Sequence, residues 1–304
     1  MFYDIYKLSF PYGVHFGERS LERTNNSFCA DTLFSALCIE AVKRGDNELD
    51  SFYSMVKSGK LIISDAFPYY DKEYFMPKPY ISIQFDEDSS KKKKYKKMQY
   101  VATSMWEEYI SGELDPTKEL ELEDNLGSSM AKTSASIRGN ENSMPYRVGR
   151  YSFKEKAGLY IIYGYENEEI KDFFYDLMEG LSYSGLGGKR SSGMGRFEIY
   201  NGKMPEVINK GIKKESDKYI TLSISLPRED EIVECIEDAS YMLKKRSGFV
   251  ESYNYSDNYL RKKDLYMFSA GSCFVTRFEG DIYDVSTGGN HPVYRYGKPL
   301  FIGV

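Results

Sequence analysis

The sequence predicts an α+β protein of two domains, and two observations lead to this fold class. Over residues 1–200, apolar periodicity gives the order strand, helix, strand, strand, helix, strand, which is the β-α-β-β-α-β order of a ferredoxin-like domain. At 304 residues the chain is also long enough for two domains, each with its own core. We therefore expect a ferredoxin-like domain at residues 1–205 and a second, less regular copy of it at residues 206–304.

The elements of the first half of this domain follow from local patterns. Residues 2–10 alternate polar and apolar side chains, as a strand does. Asp31 is a suitable N-cap for the helix that follows, and Gly45 is suited to end it. Further strands are expected at residues 61–67 and 80–85, where apolar residues cluster again.

The second half of the domain is expected to begin with a hairpin. Residues 147–153 and 158–163 are its two strands, and they lead into a helix capped by Asn167. A strand at residues 196–200 alternates polar and apolar residues and closes the domain.

Residues 86–146 differ in character from the rest of the first domain. A lysine run at residues 91–97 is followed by an acidic run at residues 113–124 and a stretch rich in Ser, Gly and Asn. The segment shows no sustained apolar face, so we expect an insertion that projects from the first domain. The lysine run is typical of a solvated, mobile loop, with nucleic-acid binding as the alternative.

A glycine-rich loop, SGLGGKRSSGMGRFEIY at residues 184–200, stands out in the sequence. Glycine backbones can adopt left-handed dihedrals and form an anion-binding nest, to which the basic residues add charge and the serines add hydroxyl donors. The candidate phosphate-binding residues are Gly185, Gly187, Gly188, Lys189, Arg190, Ser191, Ser192, Gly193, Gly195 and Arg196. The alternative is a glycine-rich turn that lets a helix pack back onto a sheet.

The elements on either side of the loop exclude two common phosphate sites. The loop follows a helix and precedes a strand, whereas a dinucleotide fingerprint needs the reverse order. A P-loop needs Ser or Thr after its Gly-Lys pair, and here Arg190 follows Lys189.

Other basic residues could extend such a site. Between residues 132 and 154, five basic residues accompany the single acid Glu141, with a surface loop and strand edge as the alternative interpretation. Two further basic turns lie at residues 244–248 and 286–299. The candidates from these stretches are Arg138, Arg147, Arg150, Lys245, Arg246 and Arg295.

Composition narrows the class of protein. A net charge of -5 and a pI near 5.4 argue against a protein coated in nucleic acid but leave room for a local basic track. The four cysteines form no CxxC pair, and we expect buried thiols in a reducing compartment. With two histidines a zinc cluster is not expected, nor is any other metal or cofactor. The sequence has no recognisable signal peptide and no apolar run of about 18 residues, which predicts a soluble, cytoplasmic protein without a membrane partner.

Seven motifs carry a resemblance to a known family. In chain order they are GVHFG near the start, ADTLFSAL (30–37), SDAFPY (64–69), MPKP (76–79), YSGLGGKRSSGMGRFE (183–198), KRSGF (245–249) and HPVYRYGKPL (291–300). With them the chain resembles the fourth subunit of the Csm complex, the type III-A CRISPR effector, within the repeat-associated mysterious protein (RAMP) superfamily. The resemblance spans nearly the whole chain, with residues 86–142 least determined.

The resemblance implies two ferredoxin-like (RRM-like) domains and a non-catalytic subunit that holds the 5′ handle of the guide RNA (crRNA). Its expected protein partners are the large signature subunit, which is polymerase-like and a DNA nuclease, and the first backbone subunit of the Csm complex. The glycine loop matches the signature loop of the superfamily, and the 86–146 insertion takes the place of the thumb of the family. No small-molecule substrate is expected.

His15 and Phe16 follow the first predicted strand, where superfamily members often contact RNA. His15 would bond a base or a phosphate and Phe16 would stack on a base, with a packed turn as the alternative. Some superfamily relatives cleave guide precursors, so the alternative function is a metal-independent endoribonuclease with His15 as general base. One histidine makes a poor acid–base pair, which disfavours that alternative. A small-nucleotide sensor is a third possibility.

Overall fold

The computed structural model describes residues 1–18, 20–45, 47–81, 89–136, 144–252 and 254–304. Its N-terminal half contains eleven strands within these residues: β1 (Phe2–Ser9), β2 (Phe16–Glu18), β3 (Ser20–Asn25), β4 (Leu61–Ile63), β5 (Phe67–Tyr70), β6 (Glu73–Pro77), β7 (Tyr100–Ala102), β8 (Gly127–Ser136), β9 (Met144–Phe153), β10 (Ala157–Tyr165) and β11 (Glu198–Gly202). The α-helices of this half are α1 (Ala30–Arg44), α2 (Glu48–Lys57), α3 (Ser89–Lys97), α4 (Trp106–Ser111), α5 (Pro116–Glu123) and α6 (Glu168–Ser184).

The C-terminal half has shorter elements. They are α7 (Glu206–Lys213), β12 (Tyr219–Thr221), α8 (Ile232–Ile236), β13 (Leu243–Arg246), β14 (Leu265–Phe268), β15 (Cys273–Phe274), β16 (Ile282–Asp284), β17 (Tyr294–Tyr296) and β18 (Phe301–Gly303). They form a three-stranded sheet in the order β15-β12-β18 and two antiparallel ribbons, β13-β14 and β16-β17. Helices segregated from antiparallel sheets confirm the predicted α+β class.

The main sheet of the N-terminal half has the strand order β11-β1-β10-β5-β6-β7, with β4 also paired to β10. Its pairings are antiparallel. All nine residues of β10 are buried, which identifies it as a central strand covered on both faces. Along the chain, β1, α1, β4 with β5, β10, α6 and β11 occur in this order, with other elements between them.

Each face of the main sheet has its own core. On one face Tyr6 and Leu8 of β1 pack against α1 and α6, which contribute Phe34 and Phe174. The predicted cap of α6 is present, because Asn167 Oδ1 accepts a hydrogen bond from the Ile170 N–H at 3.0 Å. On the other face the cluster includes Trp106 and Tyr109 of α4 together with Ile208, Ile220 and Ile302 of the C-terminal half. The central sheet is therefore covered from two sides by different parts of the chain.

The predicted hairpin of residues 147–153 and 158–163 is wrong. β9 pairs with β8 over ten residue pairs, and β10 pairs with β1, β4 and β5 instead. Two strands that follow each other in sequence thus belong to different sheets. The cause is the apolar character of β10 on both faces, which favours the centre of the main sheet over a hairpin edge.

The insertion does not project as a whole. Tyr95, Tyr100, Trp106 and Leu126 are buried in the second core cluster, and β7 extends the main sheet beside β6. The last part of the insertion and β9 form a separate two-stranded sheet, the β8–β9 hairpin. The lysine run lies mostly in α3 rather than in a loop. The predicted strand at residues 80–85 falls mainly outside the described residues.

Asp31 does not cap α1 as predicted. The helix begins at Ala30 after Cys29, and Asp65 accepts the Ala30 N–H through its Oδ1 atom at 2.7 Å. The same oxygen accepts the Ile224 N–H at 2.8 Å, so one buried carboxyl joins the two halves of the chain. Burial raises the pKa of Asp65 to about 6. Within the described residues, none of the helices combines the length and the apolar character that crossing a bilayer requires.

Candidate nucleic-acid interface

The glycine loop connects α6 to β11 at the surface of the N-terminal half. A 3-10 turn at Arg190–Ser192 forms its tip, where Ser191 and Ser192 are exposed. Gly185 and Gly195 at its two ends are buried. The tip is therefore open to a ligand, whereas the base of the loop is part of the fold.

Hydrogen bonds within the protein occupy much of the expected anion nest. The N–H groups of Gly185, Gly188, Gly193 and Gly195 donate to the carbonyl oxygens of Leu181, His15, Arg190 and Gly13 at 2.7–3.0 Å. Among the described residues, the N–H groups of Gly187, Lys189 and Arg190 have no protein acceptor. The nest prediction needs correction here, since four of the five glycine amides are not free to bind phosphate.

Gly195 shows why the loop needs glycine at its base. Its φ is +80°, and an added Cβ would lie 2.1 Å from the carbonyl oxygen of Leu186. Gly193 differs, because its φ is +87° but nothing lies within 4 Å of its Cβ position. Close packing therefore explains why position 195 is glycine, and the left-handed backbone conformation explains why position 193 is glycine. The alternative of a turn that packs a helix against a sheet thus describes the base of the loop.

An open groove of about 540 Å³ runs beside the loop. Four basic side chains and one acidic side chain line it; its charged and aromatic lining residues are Lys43, Lys189, Arg190, Arg196, Glu251 and Tyr183. Sequence reasoning missed Lys43 and Tyr183 as site residues. Tyr183 directly precedes the loop and is 73% exposed, so its position was a usable signal. Lys43 comes from the last turn of α1, and nothing in the sequence places it here.

The basic side chains of the groove are partly held by neighbours. Arg190 approaches Glu251 with 3.4 Å between Nη2 and Oε2. The Lys189 ammonium lies 4.7 Å from the centre of the Tyr146 ring, which brings the loop against the β8–β9 hairpin. Lys43 Nζ donates to Ser184 Oγ at 3.0 Å and to Glu40 Oε1 at 2.7 Å. These contacts hold Lys43, Lys189 and Arg190 along one groove. Ser191 at the tip of the loop also lines this groove.

His15 and Phe16 occupy the packed turn that was the alternative for them. Phe16 is 6% exposed, and its ring makes edge contacts with the rings of Phe10 and Phe28, so a base cannot stack on it without displacing the core. His15 is 5% exposed and its Nδ1 atom lies 2.7 Å from the carbonyl oxygen of Gly149. We therefore correct the expected stacking role of Phe16, and His15 supports the loop from beneath.

The basic residues of the 132–154 stretch have different surroundings. Arg147 is exposed on β9, opposite Thr133 of β8. Arg150 is half-buried beside the turn at Gly13, and its Nε atom is buried without a hydrogen-bond partner in the described part of the chain. Arg138 lies outside the described residues. Of the two candidate arginines described in this stretch, Arg147 is the one that lies exposed on the hairpin.

Arg246 and Arg295 are held by a buried carboxylate. Arg246 donates from Nε and Nη2 to the two oxygens of Asp31 at 2.7 and 2.8 Å, and Arg295 donates from Nη1 to Oδ2 at 2.6 Å. Burial opposes ionisation of Asp31, but the two guanidinium groups outweigh it and hold the pKa of that carboxyl below its usual value. Both arginines therefore join the halves of the chain, which corrects their expected role in RNA binding. Lys245 remains at the surface, paired with Asp264 at 2.7 Å.

Among the residues that the structure describes, neither the thiols nor the possible metal ligands form a second site. Cys29, Cys235 and Cys273 are buried, Cys38 is half-buried, and all four are free thiols. Burial raises the pKa of Cys29 to about 11, which makes it a poor nucleophile. In the described ranges, no group of three or more His, Cys, Asp or Glu side chains is placed to hold a metal ion.

Comparison with known proteins identifies relatives over the full length. The family model for the CRISPR Csm4 C-terminal domain matches residues 214–304. The CRISPR system Cms protein Csm4 of Mycobacterium tuberculosis (strain CDC 1551 / Oshkosh) is 38% identical over 292 residues, which are 96% of this chain and 94% of that protein. The protein of the same name from Streptococcus thermophilus is 36% identical over 312 residues, 99% of this chain and 98% of that one.

Solved structures share the fold. A Csm3–Csm4 subcomplex of the type III-A CRISPR-Cas interference complex gives a TM-score of 0.66 at 19% identity, with 99% of each chain covered. A Csm1–Csm4 cassette in complex with AMPPNP gives a TM-score of 0.62 at 20% identity, with 99% of this chain and 97% of that chain covered. Identity of more than a third over nearly the whole length decides the family, and the chain therefore belongs to the Csm4 family of type III-A CRISPR subunits.

Proposed function

We propose that this chain is a non-catalytic subunit that anchors the 5′ handle of the crRNA and joins the large signature subunit to the backbone of a type III-A effector. The observation that carries the proposal is the groove beside the glycine loop. Four basic side chains converge there, from Lys43 of α1 and from Lys189, Arg190 and Arg196 of the loop. Among the described residues, Glu251 is the one acid that lines the groove. Such a surplus of positive charge on an otherwise acidic protein favours a polyanion at this place.

The groove suits single-stranded RNA in particular. A single strand offers phosphates and unstacked bases, which proteins bind with cationic side chains and exposed aromatic rings. Hydrogen bonds to charged groups contribute about 1.5–3 kcal/mol each before non-additivity. Lys189, Arg190 and Arg196 supply such bonds, Ser191 adds a hydroxyl donor, and Tyr183 offers a ring for a base. The side chains of the loop, more than its glycine amides, carry this interaction.

We propose that the thumb of the family corresponds to the β8–β9 hairpin rather than to the whole 86–146 insertion. The hairpin forms its own two-stranded sheet and exposes Lys132 and Arg147. Lys189 touches Tyr146 at its edge, so the thumb and the loop border the same groove. This arrangement supports a guide that leaves the groove along the hairpin.

The finer fold assignment belongs to the same proposal. Four neighbouring strands in the order β11-β1-β10-β4/β5, with α1 and α6 packed on one face, support a ferredoxin-like domain at residues 1–205. For residues 206–304 the ferredoxin-like assignment rests on the family resemblance, because the strands there are short. The start of the matching family model at residue 214 supports a boundary near residue 205.

The relatives suggest the protein neighbours. Solved structures contain Csm4 with Csm3 in one assembly and with Csm1 in another. We infer that this chain contacts the corresponding backbone and large subunits, and that it does so in the cytoplasm.

Replacing Lys189 and Arg190 together with alanine tests the proposed RNA contact. We expect weaker binding of handle RNA and a flatter salt dependence, with the slope reduced by roughly 0.7 for each phosphate of the single strand that the variant no longer neutralises. Fluorescence anisotropy across a salt series measures both quantities. Lys210→Ala with Arg277→Ala is the matched control, because these side chains form surface ion pairs outside the groove. Unchanged handle affinity in the groove variant contradicts the proposal.

One observation favours the alternative of a metal-independent endoribonuclease. The carbonyl oxygen of Gly149 accepts a hydrogen bond from His15 Nδ1, which leaves Nε2 as the proton acceptor that a general base needs. The burial of His15 beneath Gly188 weighs against it. Incubation of the chain with repeat RNA in the absence of metal distinguishes the two functions. A defined cut that His15→Ala abolishes would replace the non-catalytic role.

A further inference from the structure

The short helix α8 exposes the side chains that a soluble helix normally buries. Cys235 is its buried member, whereas Val233 is 80% exposed, and Ile232 and Ile236 are also exposed. The chain then continues through Tyr241 and Met242, which are likewise exposed. We call these five residues, Ile232, Val233, Ile236, Tyr241 and Met242, the α8 face. Single exposed apolar residues are common, but five within eleven residues of one segment are typical of an interaction surface.

Beneath the α8 face lies a small cluster of packed apolar side chains. Cys235 packs with Phe268, Phe274 and Phe278 in a small separate core cluster. The Tyr241 ring lies on the Phe268 ring with 4.7 Å between the centres, and Ser240 pairs with Cys273 through two backbone hydrogen bonds. The exposed residues therefore sit on ordered structure, and a partner meets a preformed surface.

Acidic side chains flank and interrupt the α8 residues of this face along the chain. Residues 229–238 contain six acids and no base. Asp230 and Glu231 pair with Arg228, whereas Glu229, Glu234, Glu237 and Asp238 are exposed and form no ion pair with the described residues. Such a rim repels the phosphates of RNA. It also disfavours a second copy of this chain, because two copies of the face would bring like charges together.

We propose that the α8 face is a docking site for a protein partner whose own surface is apolar at its centre and carries Lys or Arg at its rim. An apolar centre with charges of the opposite sign around it is the arrangement that specific interfaces use. This inference rests on the proposed role as a subunit that joins other proteins. It assigns to the C-terminal half a contact that the basic groove of the N-terminal half cannot make.

The test measures protein and RNA binding of the same variants. The probes are the purified large subunit, the purified backbone subunit and handle RNA, each titrated against the full chain. For Val233→Asp we expect at least tenfold weaker binding of one of the two protein subunits and handle affinity within twofold of the wild type. Val42→Asp is the matched control, since Val42 is an exposed valine on α1 and is 58% exposed.

A charge variant tests the rim without touching the apolar centre. Glu234→Lys with Glu237→Lys should weaken the same protein contact several-fold at low salt, and the difference should shrink at high salt because salt screens exposed charges. The proposal is overturned if both protein subunits bind Val233→Asp as tightly as the wild type. It is also overturned if handle RNA loses affinity equally, or if Val233→Asp dissolves a dimer of this chain. A failure of the Lys189 and Arg190 variant to weaken RNA binding would instead refute the RNA role and leave this contact standing.

Discussion

The glycine loop and the basic turns of the C-terminal half resemble each other in sequence but differ in their surroundings. Lys189 and Arg190 lie along an open groove, where Arg190 pairs with the exposed Glu251. Arg246 and Arg295 converge instead on the buried carboxylate of Asp31. A basic turn is therefore available to a ligand only where the fold supplies no buried acid. The first set of charges is open to the RNA that we propose, and the second holds the two halves of the chain together.

The largest effect on stability is expected for the buried charges, Asp31 with Arg246 and Arg295. Asp31→Asn removes the charge that Arg246 and Arg295 share and leaves two guanidinium groups without a counterion. Breaking such a pair costs about 3–5 kcal/mol. The free energy of unfolding, measured with denaturant, should fall by that amount. Asp264→Asn is the matched control, because its partner Lys245 is at the surface and such pairs contribute about 0–1 kcal/mol. Equal losses in both variants would remove the distinction between the two sets of charges.

A smaller loss is expected at the base of the glycine loop. Gly195→Ala places a Cβ against the carbonyl of Leu186 in a left-handed conformation and should reduce the free energy of unfolding by about 2–4 kcal/mol. Gly193→Ala meets only the left-handed strain, about 1 kcal/mol. Denaturant unfolding of the two variants measures the difference. If both glycines tolerate alanine equally, close packing does not shape the loop.

The second carboxyl between the halves of the chain predicts a pH dependence. The pKa of Asp65 is about 6 in the fold, above its ordinary value of 3.8, so the folded state holds this proton more tightly than the unfolded chain does. The resulting stabilisation is complete below the unfolded pKa and is lost as pH rises through 6. Between pH 5 and pH 7 it decreases by about 1 kcal/mol.

Asp65→Asn keeps the acceptor oxygen for Ala30 and Ile224 but does not titrate. Its free energy of unfolding should therefore change less between pH 5 and pH 7 than that of the wild type, as denaturant titrations at the two pH values would show. An identical pH dependence in both proteins would show that Asp65 titrates normally.

The smallest effect is expected for the charges of the open groove, and it concerns the affinity for handle RNA. Glu251→Gln removes the acid that lines the groove in the described part of the chain and frees Arg190, so handle RNA should bind about two- to fivefold more tightly, as expected for loss of an exposed ion pair. Anisotropy titration measures the change. Glu279→Gln is the control, since Glu279 pairs with Arg228 at the surface outside the groove. Weaker handle binding by Glu251→Gln would show that the acid assists RNA rather than competing with it.

Local patterns predicted much of the N-terminal half. The strand β1, the helices α1 and α6 and the cap at Asn167 depend on periodicity and on neighbours within a few residues, which the sequence displays directly. The pairing of β9 with β8 was not predictable in this way. It depends on β10 pairing with β1, and these two strands are far apart in the chain. Likewise, Trp106 and Tyr109 reach the core from short elements that show no repeating apolar face.

The candidate site was likewise predicted only in its local part. The glycine loop is local, and its basic residues were visible in the sequence. The participation of Lys43 and Glu251 depends on tertiary packing across more than 60 residues. The pairing of Arg246 and Arg295 with Asp31 joins residues more than 200 positions apart, so no local signal separated these arginines from Lys189 and Arg190.

The hydrogen bonds from Gly188 to His15 and from Gly195 to Gly13 connect opposite ends of the N-terminal half. During synthesis, the carbonyl groups of Gly13 and His15 therefore cannot accept these hydrogen bonds until the ribosome has released about two-thirds of the chain. The base of the glycine loop is consequently among the last features of this half to form. A chain whose synthesis stops before Gly195 therefore lacks the hydrogen bonds that close the base of the loop against the turn after the first strand.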